Sequence, residues 1–244
     1  MDLYISVFSL NGDTLGLYPI VFIHGAGGNH KVWAYQVKYF KNSIAIDLPG
    51  HDGGEGKRNI EEYVEYVRDF LDRNSLRNVV LVGHSMGGAI VQMFALKYSN
   101  HLKAIVLVCT GARLRVLPKI FKLIHEDYSK AVDFIVSMAV SSNASQTIRN
   151  RVKEELLKTS PEVIYGDFEA CDKFDLMNQI SSISVKTLII CGSDDLLTPV
   201  KYSKYLNEKI SGSTLRVVEG SGHMVMIEKP EEFNNILYEF IHSL

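Results

Sequence analysis

The 244-residue chain has little with which to hold itself together covalently or around a metal. Its three cysteines, Cys109, Cys171 and Cys191, are too few and too scattered for a disulfide framework or a four-ligand zinc site, and they read as buried thiols. No uninterrupted apolar run reaches the roughly 18 residues of a membrane-spanning helix. The first ten residues alternate instead of placing a basic segment before an apolar one, which argues against a secretion signal. The expectation is a soluble cytoplasmic protein without a membrane partner. An excess of one charge is also missing: 26 Lys and Arg against 28 Asp and Glu leave a formal net charge of -2. That offers no basic field for nucleic acid. There is no H-E-x-x-H, no C-x-x-C and no G-x-x-x-x-G-K-[ST], and the Gly25-Ala26-Gly27-Gly28 loop lacks the third-glycine spacing of a dinucleotide site. No metal and no cofactor is implied. The partner expected is a small molecule, and no pattern specifies an oligomeric state.

What the chain does have is residues 79–88, VVLVGHSMGG, where an apolar run stops at Gly83 and a small-residue helix begins just after Ser85. GHSMG is a G-x-S-x-G sequence with a strand before it and a helix after it. This is the setting in which a serine sits on a sharp strand-to-helix turn with its hydroxyl presented outward. The helix that follows directs its unpaired N–H groups and positive dipole end at the same point.

Other strands and helices alternate around this stretch. Residues 3–10 alternate, and Asn11-Gly12-Asp13 supplies a turn into a short strand over 14–18. Buried-strand runs follow at 19–23, 43–47, 103–109 and 185–191, with a further strand at 214–218. Helices are expected over 31–40, from the Asn59 cap to about 74, from 86 to about 98, over 199–210, and from Pro230 to the end. From 113 to about 178 the rhythm lapses into helical windows at 116–126, 129–140, 145–159 and 161–177, two of them opened by Pro118 and Pro161. The fold class is therefore α/β, with a mainly parallel sheet covered by helices on both faces and an inserted helical cap. Residues 1–112 and 179–244 form the core, and 113–178 the cap. A chain of this length should bury roughly 70 to 75% of its unfolded surface.

These motifs, spread from His24 to His223, make the chain resemble the α/β-hydrolases. The resemblance implies a serine nucleophile, a histidine base and an acid in the order Ser, acid, His. A serine hydroxyl is hardly ionised at neutral pH, so such a base and its acid partner are needed. Ser85 is the nucleophile. His223 is the base, since Gly220-Ser221-Gly222-His223 follows the last strand. Asp195 matches the family acid, three after Gly192 and four before Pro199, with Asp194 as its rival. Met86 N–H and, by the resemblance, Ala26 N–H form the oxyanion hole. His24 is expected to orient the loop at 25–28 and His84 cannot serve its neighbour Ser85. His51 reads as structural, while His30, His101, His125 and His242 have no assigned role. Asp52 stands where the family pattern D-x-P-G-H-G has glycine. Arg113 and Arg115 are either solvated or meet a substrate carboxylate, and Phe121 and Phe134 are candidates to line an acyl pocket.

The activity expected is that of a serine carboxylesterase acting on small to medium esters through an acyl-enzyme. The same residues serve carbon–carbon hydrolases, thioesterases, aminopeptidases and succinyl-eliminating lyases, and the fold also occurs as a non-catalytic ligand receptor.

Overall fold

The computed structural model describes residues 18–244, so the expected strand over 3–10 lies outside the described residues, and so does all but the last residue of that over 14–18. Six strands form one fully parallel sheet: β1 (Ile20–Ile23), β2 (Ser43–Ile46), β3 (Val79–His84), β4 (Leu102–Val108), β5 (Lys186–Gly192) and β6 (Thr214–Val218). Their order is β2-β1-β3-β4-β5-β6. The chain runs outward from β1 to β2, then returns across β1 to β3. The loops that leave β1 and β3 therefore diverge at a reversal point, where a crevice opens at the carboxyl ends of the strands. Ile23 pairs with Gly83, so both loops start at the same level.

The strands are apolar at nearly every position because both faces are covered. Ile20, Phe22, Val80 and Val82 face one core with α1 (Ala34–Tyr39) and the C-terminal helix Pro230–His242. Val21, Ile23, Val79 and Leu81 face a second core with α2 (Ile60–Arg73), α3 (Met86–Lys97) and α8 (Val200–Lys209). The two-residue alternation thus sorts side chains between layers even where no polar residue marks it. All three cysteines are buried and unpaired. Among the described residues, no helix is long and apolar enough to cross a membrane.

Between β4 and β5 come four helices, α4 (Pro118–Glu126), α5 (Tyr128–Ala139), α6 (Gln146–Leu156) and α7 (Pro161–Lys173). The side chains of Asp127, Ser145 and Ser160 accept hydrogen bonds from the first turns of α5, α6 and α7. The segment leaves and rejoins the sheet side by side: Leu176 N–H donates to Ala112 C=O (2.7 Å), and Arg113 forms an ion pair with Asp175 (2.7 Å). Arg115 also pairs with Asp175 and donates to the Asp172 carbonyl. Both arginines remain solvent-exposed, as the solvated alternative had it, and neither lines the cleft; their pairing with Asp175 closes the base of the insertion.

Candidate active site

Ser85 lies between β3 and α3 with φ 53° and ψ −115°, outside the regions an L-residue ordinarily occupies. Its surroundings hold it there. Ser85 N–H donates to Val108 C=O (2.9 Å), and Ser85 C=O accepts from Thr110 Oγ1 (2.8 Å) and Ala89 N–H (3.2 Å). The flanking glycines are required by contact: a Cβ on Gly83 would stand 2.2 Å from Gly87 O, and one on Gly87 2.6 Å from the carbonyl oxygens of Ile23 and His24.

Asp195 and His223 come from the loops after β5 and β6, and both are buried. Asp195 Oδ1 accepts from Leu197 N–H and Thr198 N–H, each at 2.9 Å. Its Oδ2 accepts from Thr198 Oγ1 (2.7 Å) and from His223 Nδ1 (2.8 Å). Burial alone raises a carboxyl pKa, but the charge and hydrogen bond of His223 and the bonds from Thr198 outweigh it and hold Asp195 below the usual range. With Nδ1 donating to Asp195, a neutral His223 keeps its lone pair on Nε2. Asp194 turns elsewhere: it accepts from Ser141 (2.7 Å) and Ser193 (2.8 Å), tying the insertion to the β5 loop.

Ser85 and His223 line one cleft of ≈ 700 Å³, open mouth included, together with Ala26. Among the described residues no hydrogen bond joins Ser85 Oγ to His223, and such bonds often tighten only around a substrate. The Ala26 and Met86 N–H groups donate to no acceptor among the described residues. Met86 does not line the cleft; its N–H is the first of α3. The walls are apolar, with Val32, Leu197, Met224 and Ile227 from the sheet side and Ile135, Ala139, Val152, Leu156 and Phe168 from the insertion. Phe121 and Phe134 do not line it. Phe121 packs edge-on to Tyr165 (5.1 Å between centroids), and Phe134 sits under the Lys119 ammonium (4.1 Å). Helical periodicity located these rings on α4 and α5 but not the direction in which each helix turns its stripe.

The other histidines divide by environment. His24 donates from Nδ1 to Gly25 C=O (2.8 Å) and accepts at Nε2 from Leu48 N–H (3.0 Å), so it orients the loop as a neutral ring. Burial, followed by the nearby His51 charge, keeps its pKa well below normal. The His84 ring lies tilted against His223 (4.6 Å between centroids), and its Nε2 donates to the His223 carbonyl (3.0 Å). Burial and His223 push its pKa down to about 3. His51 does more than fill space, since its Nδ1 donates to Gly28 C=O (2.7 Å) while Nε2 lies 3.1 Å from Asp167 Oδ2. A structural role was expected of His51; its contact with Asp167 was not foreseen from the sequence. His30 bonds Asp47 (2.7 Å) and His101 meets Asp72 (3.1 Å), both away from the cleft lining.

Among the described residues, the group best composed to ligate a metal is Cys109, Asp195 and His223, whose ligand atoms lie within 4.8 Å of one another. Asp195 and His223 are already bonded to each other, and burial raises the Cys109 pKa well above normal, so this thiol stays protonated and is a poor ligand.

The same arrangement of strands and loops recurs in known proteins. The chain is 27% identical to a Mycoplasma genitalium protein named as an esterase/lipase, over 92% of this chain and 89% of that one. A solved thermophilic esterase is 35% identical with a TM-score of 0.83, covering 93% of this chain and 91% of its own. A second solved structure, of an enzyme described as degrading N-acyl homoserine lactones, is 27% identical with a TM-score of 0.81, over 91% and 93% of the two chains. The alpha/beta hydrolase family model matches residues 20–236, which take in the serine turn, the Asp195 and His223 loops and the four-helix insertion, and the chain belongs to that family.

Proposed function

We propose that the protein is a serine carboxylesterase cleaving small to medium carboxylic esters. The observation that carries this reading is the buried Asp195–His223 pair opening onto the same apolar cleft as Ser85. The similarity to proteins named as esterases, and to one that degrades a lactone, supports ester cleavage as the chemistry.

In this reading Ser85 Oγ attacks the ester carbonyl carbon and its proton passes to His223 Nε2. Asp195 keeps His223 in the required tautomer and stabilises the imidazolium. The carbonyl oxygen becomes an oxyanion held by the Ala26 and Met86 N–H groups, each contributing roughly 3 to 4 kcal/mol. His223 then gives the proton to the departing alcohol. Water, activated by the same imidazole, releases the acid from Ser85. The insertion over residues 113–178 acts as a cap whose inner side chains receive the acyl group and exclude bulk water.

Purified protein assayed on p-nitrophenyl esters, acyl thioesters and aminoacyl anilides tests the reading, with esters expected to be turned over fastest. Ser85→Ala should lower kcat by roughly four or more orders of magnitude. Asp195→Asn should be far more damaging than Asp194→Asn. Retention of activity in Ser85→Ala, or preference for a thioester or anilide, would overturn it.

A further inference from the structure

Asp167 on α7 is fully buried, far in sequence from every residue of the cleft's β1 loop, and meets neither lysine nor arginine. Its Oδ1 accepts from Tyr63 OH (2.6 Å) and its Oδ2 from Gly27 N–H (2.8 Å), with His51 Nε2 at 3.1 Å. The His51 contact is close but poorly aimed as a hydrogen bond, and it becomes a charge pair, which needs no direction, only when the ring is protonated. A carboxylate kept in such a place costs several kcal/mol in lost hydration unless these partners offset it. Well-packed apolar residues would stabilise the site as well.

Its bond to Gly27 explains what the carboxylate is for. The peptide unit that carries Ala26 N–H has Gly25 C=O at its other side, and that carbonyl is held by His24 Nδ1–H (2.8 Å) and Gly28 N–H (3.0 Å). A trans peptide is planar, so fixing C=O aims the N–H the opposite way. The next peptide unit carries Gly27 N–H, which Asp167 holds. Gly27 C=O in turn accepts from Thr159 Oγ1 (2.8 Å), and Gly28 C=O from His51. Both planes flanking Ala26 are thereby pinned, one from the sheet side by His24 and the other from the insertion by Asp167.

We infer that Asp167 is a positioning residue of the insertion that aims the Ala26 N–H at the substrate's developing oxyanion, acting through Gly27. The inference rests on the esterase reading for the role of Ala26. His51, 3.1 Å from Asp167, offsets that carboxylate's charge whenever its ring is protonated. The loop that stabilises the transition state is thus completed only when the helical insertion is docked.

The experiment compares wild type with Asp167→Ala, Asp167→Asn and Thr159→Val. It reads three quantities: ester kcat and KM, the rate at which a fluorophosphonate phosphonylates Ser85, and thermal unfolding. Phosphonylation also builds charge on an oxygen in the same hole, and it requires no knowledge of the natural ester. Asp167→Ala should slow kcat and labelling about 10- to 100-fold with KM within about twofold, less than outright removal of a donor. Asp167→Asn, whose amide oxygen can still accept from Gly27 N–H, should recover most of that loss. Thr159→Val, which removes only the neighbouring hydroxyl, should slow both about 3- to 10-fold. A folded Asp167→Ala with wild-type kcat and labelling would overturn the inference, as would Asp167→Asn losing as much as Ala. If Asp167→Ala does not fold, Thr159→Val decides: wild-type labelling there overturns the inference. Wild-type protein that labels at Ser85 but hydrolyses no ester would sink only the substrate reading, since the labelling rates still judge Asp167. Failure of Ser85 to label at all overturns both.

Discussion

At the scale of single residues, three buried histidines set how the fold responds to pH. Unfolded, each titrates near 6.5. His24 and His84 have folded pKa values below that, so under acid the unfolded chain binds protons that the folded chain refuses. Stability is lost as pH falls below about 6.5, by about 1.4 kcal/mol per pH unit for each ring, and for His84 this continues down to about pH 3. His51 works in the other direction. Burial lowers its pKa, but the Asp167 carboxylate 3.1 Å away overcomes burial and raises it. Its contribution is complete below about 6.5 and is lost as pH rises through the folded value. Urea unfolding measured between pH 6 and pH 5 should therefore lose about 2 to 3 kcal/mol per unit, and His84→Gln should halve that slope. A flat profile would show that the folded protein accepts those protons.

At the scale of elements, the turn between β3 and α3 depends on backbone contact that no side chain can relieve. The atoms against Gly83 and Gly87 are carbonyls of the helix and of β1, so an added methyl group must move an element. Gly83→Ala and Gly87→Ala should each destabilise by at least about 3 kcal/mol, at the upper end of overpacking costs. Melting should fall by roughly 6 °C or more for a chain of this length, and a melting point unchanged within about 2 °C would show that the β3–α3 turn can relax. Elements of this kind were the most legible in the sequence, because the signals that make them are local. The glycines, the Asn59 cap and the prolines of α4 and α7 mark their own boundaries, and strand runs and caps agree with the observed ends within a few residues. The short helix Val225–Glu228 after His223 went unseen, since four residues complete barely one turn and show no period. Asp167 was beyond reach for a different reason: its partners Gly27, His51 and Tyr63 lie more than 100 residues away in the chain, and an acid within an amphipathic helix looks like any solvated one.

At the scale of the whole molecule, the cleft's depth should fix the acyl chain it prefers. Each buried methylene is worth about 0.8 kcal/mol, so kcat/KM on straight-chain p-nitrophenyl esters should rise up to roughly fourfold per carbon, then fall, with a peak at roughly four to eight carbons. Phe168, half-buried on α7 and lining the cleft, is the side chain whose removal should enlarge it. Phe168→Ala should move the optimum to longer chains, whereas Phe121→Ala should not. A profile rising to sixteen carbons in the wild type would show that the insertion does not enclose the acyl group. The closed base of that insertion carries a further consequence. Because Ala112 and Leu176 are joined backbone to backbone, with Arg113 and Asp175 paired beside them, the chain's path between them can change length at little entropic cost, which grows only as the logarithm of loop size. On the proposed reading, substrate preference is in that respect a replaceable cassette, spliced at one fixed seam into a scaffold where Ser85 lies before it and Asp195 and His223 lie after. If Asp167 aims the Ala26 N–H as inferred, the exchange has one condition, set at Gly27: an incoming cassette that brings no acceptor for that N–H would dock on the scaffold and still leave the oxyanion poorly met.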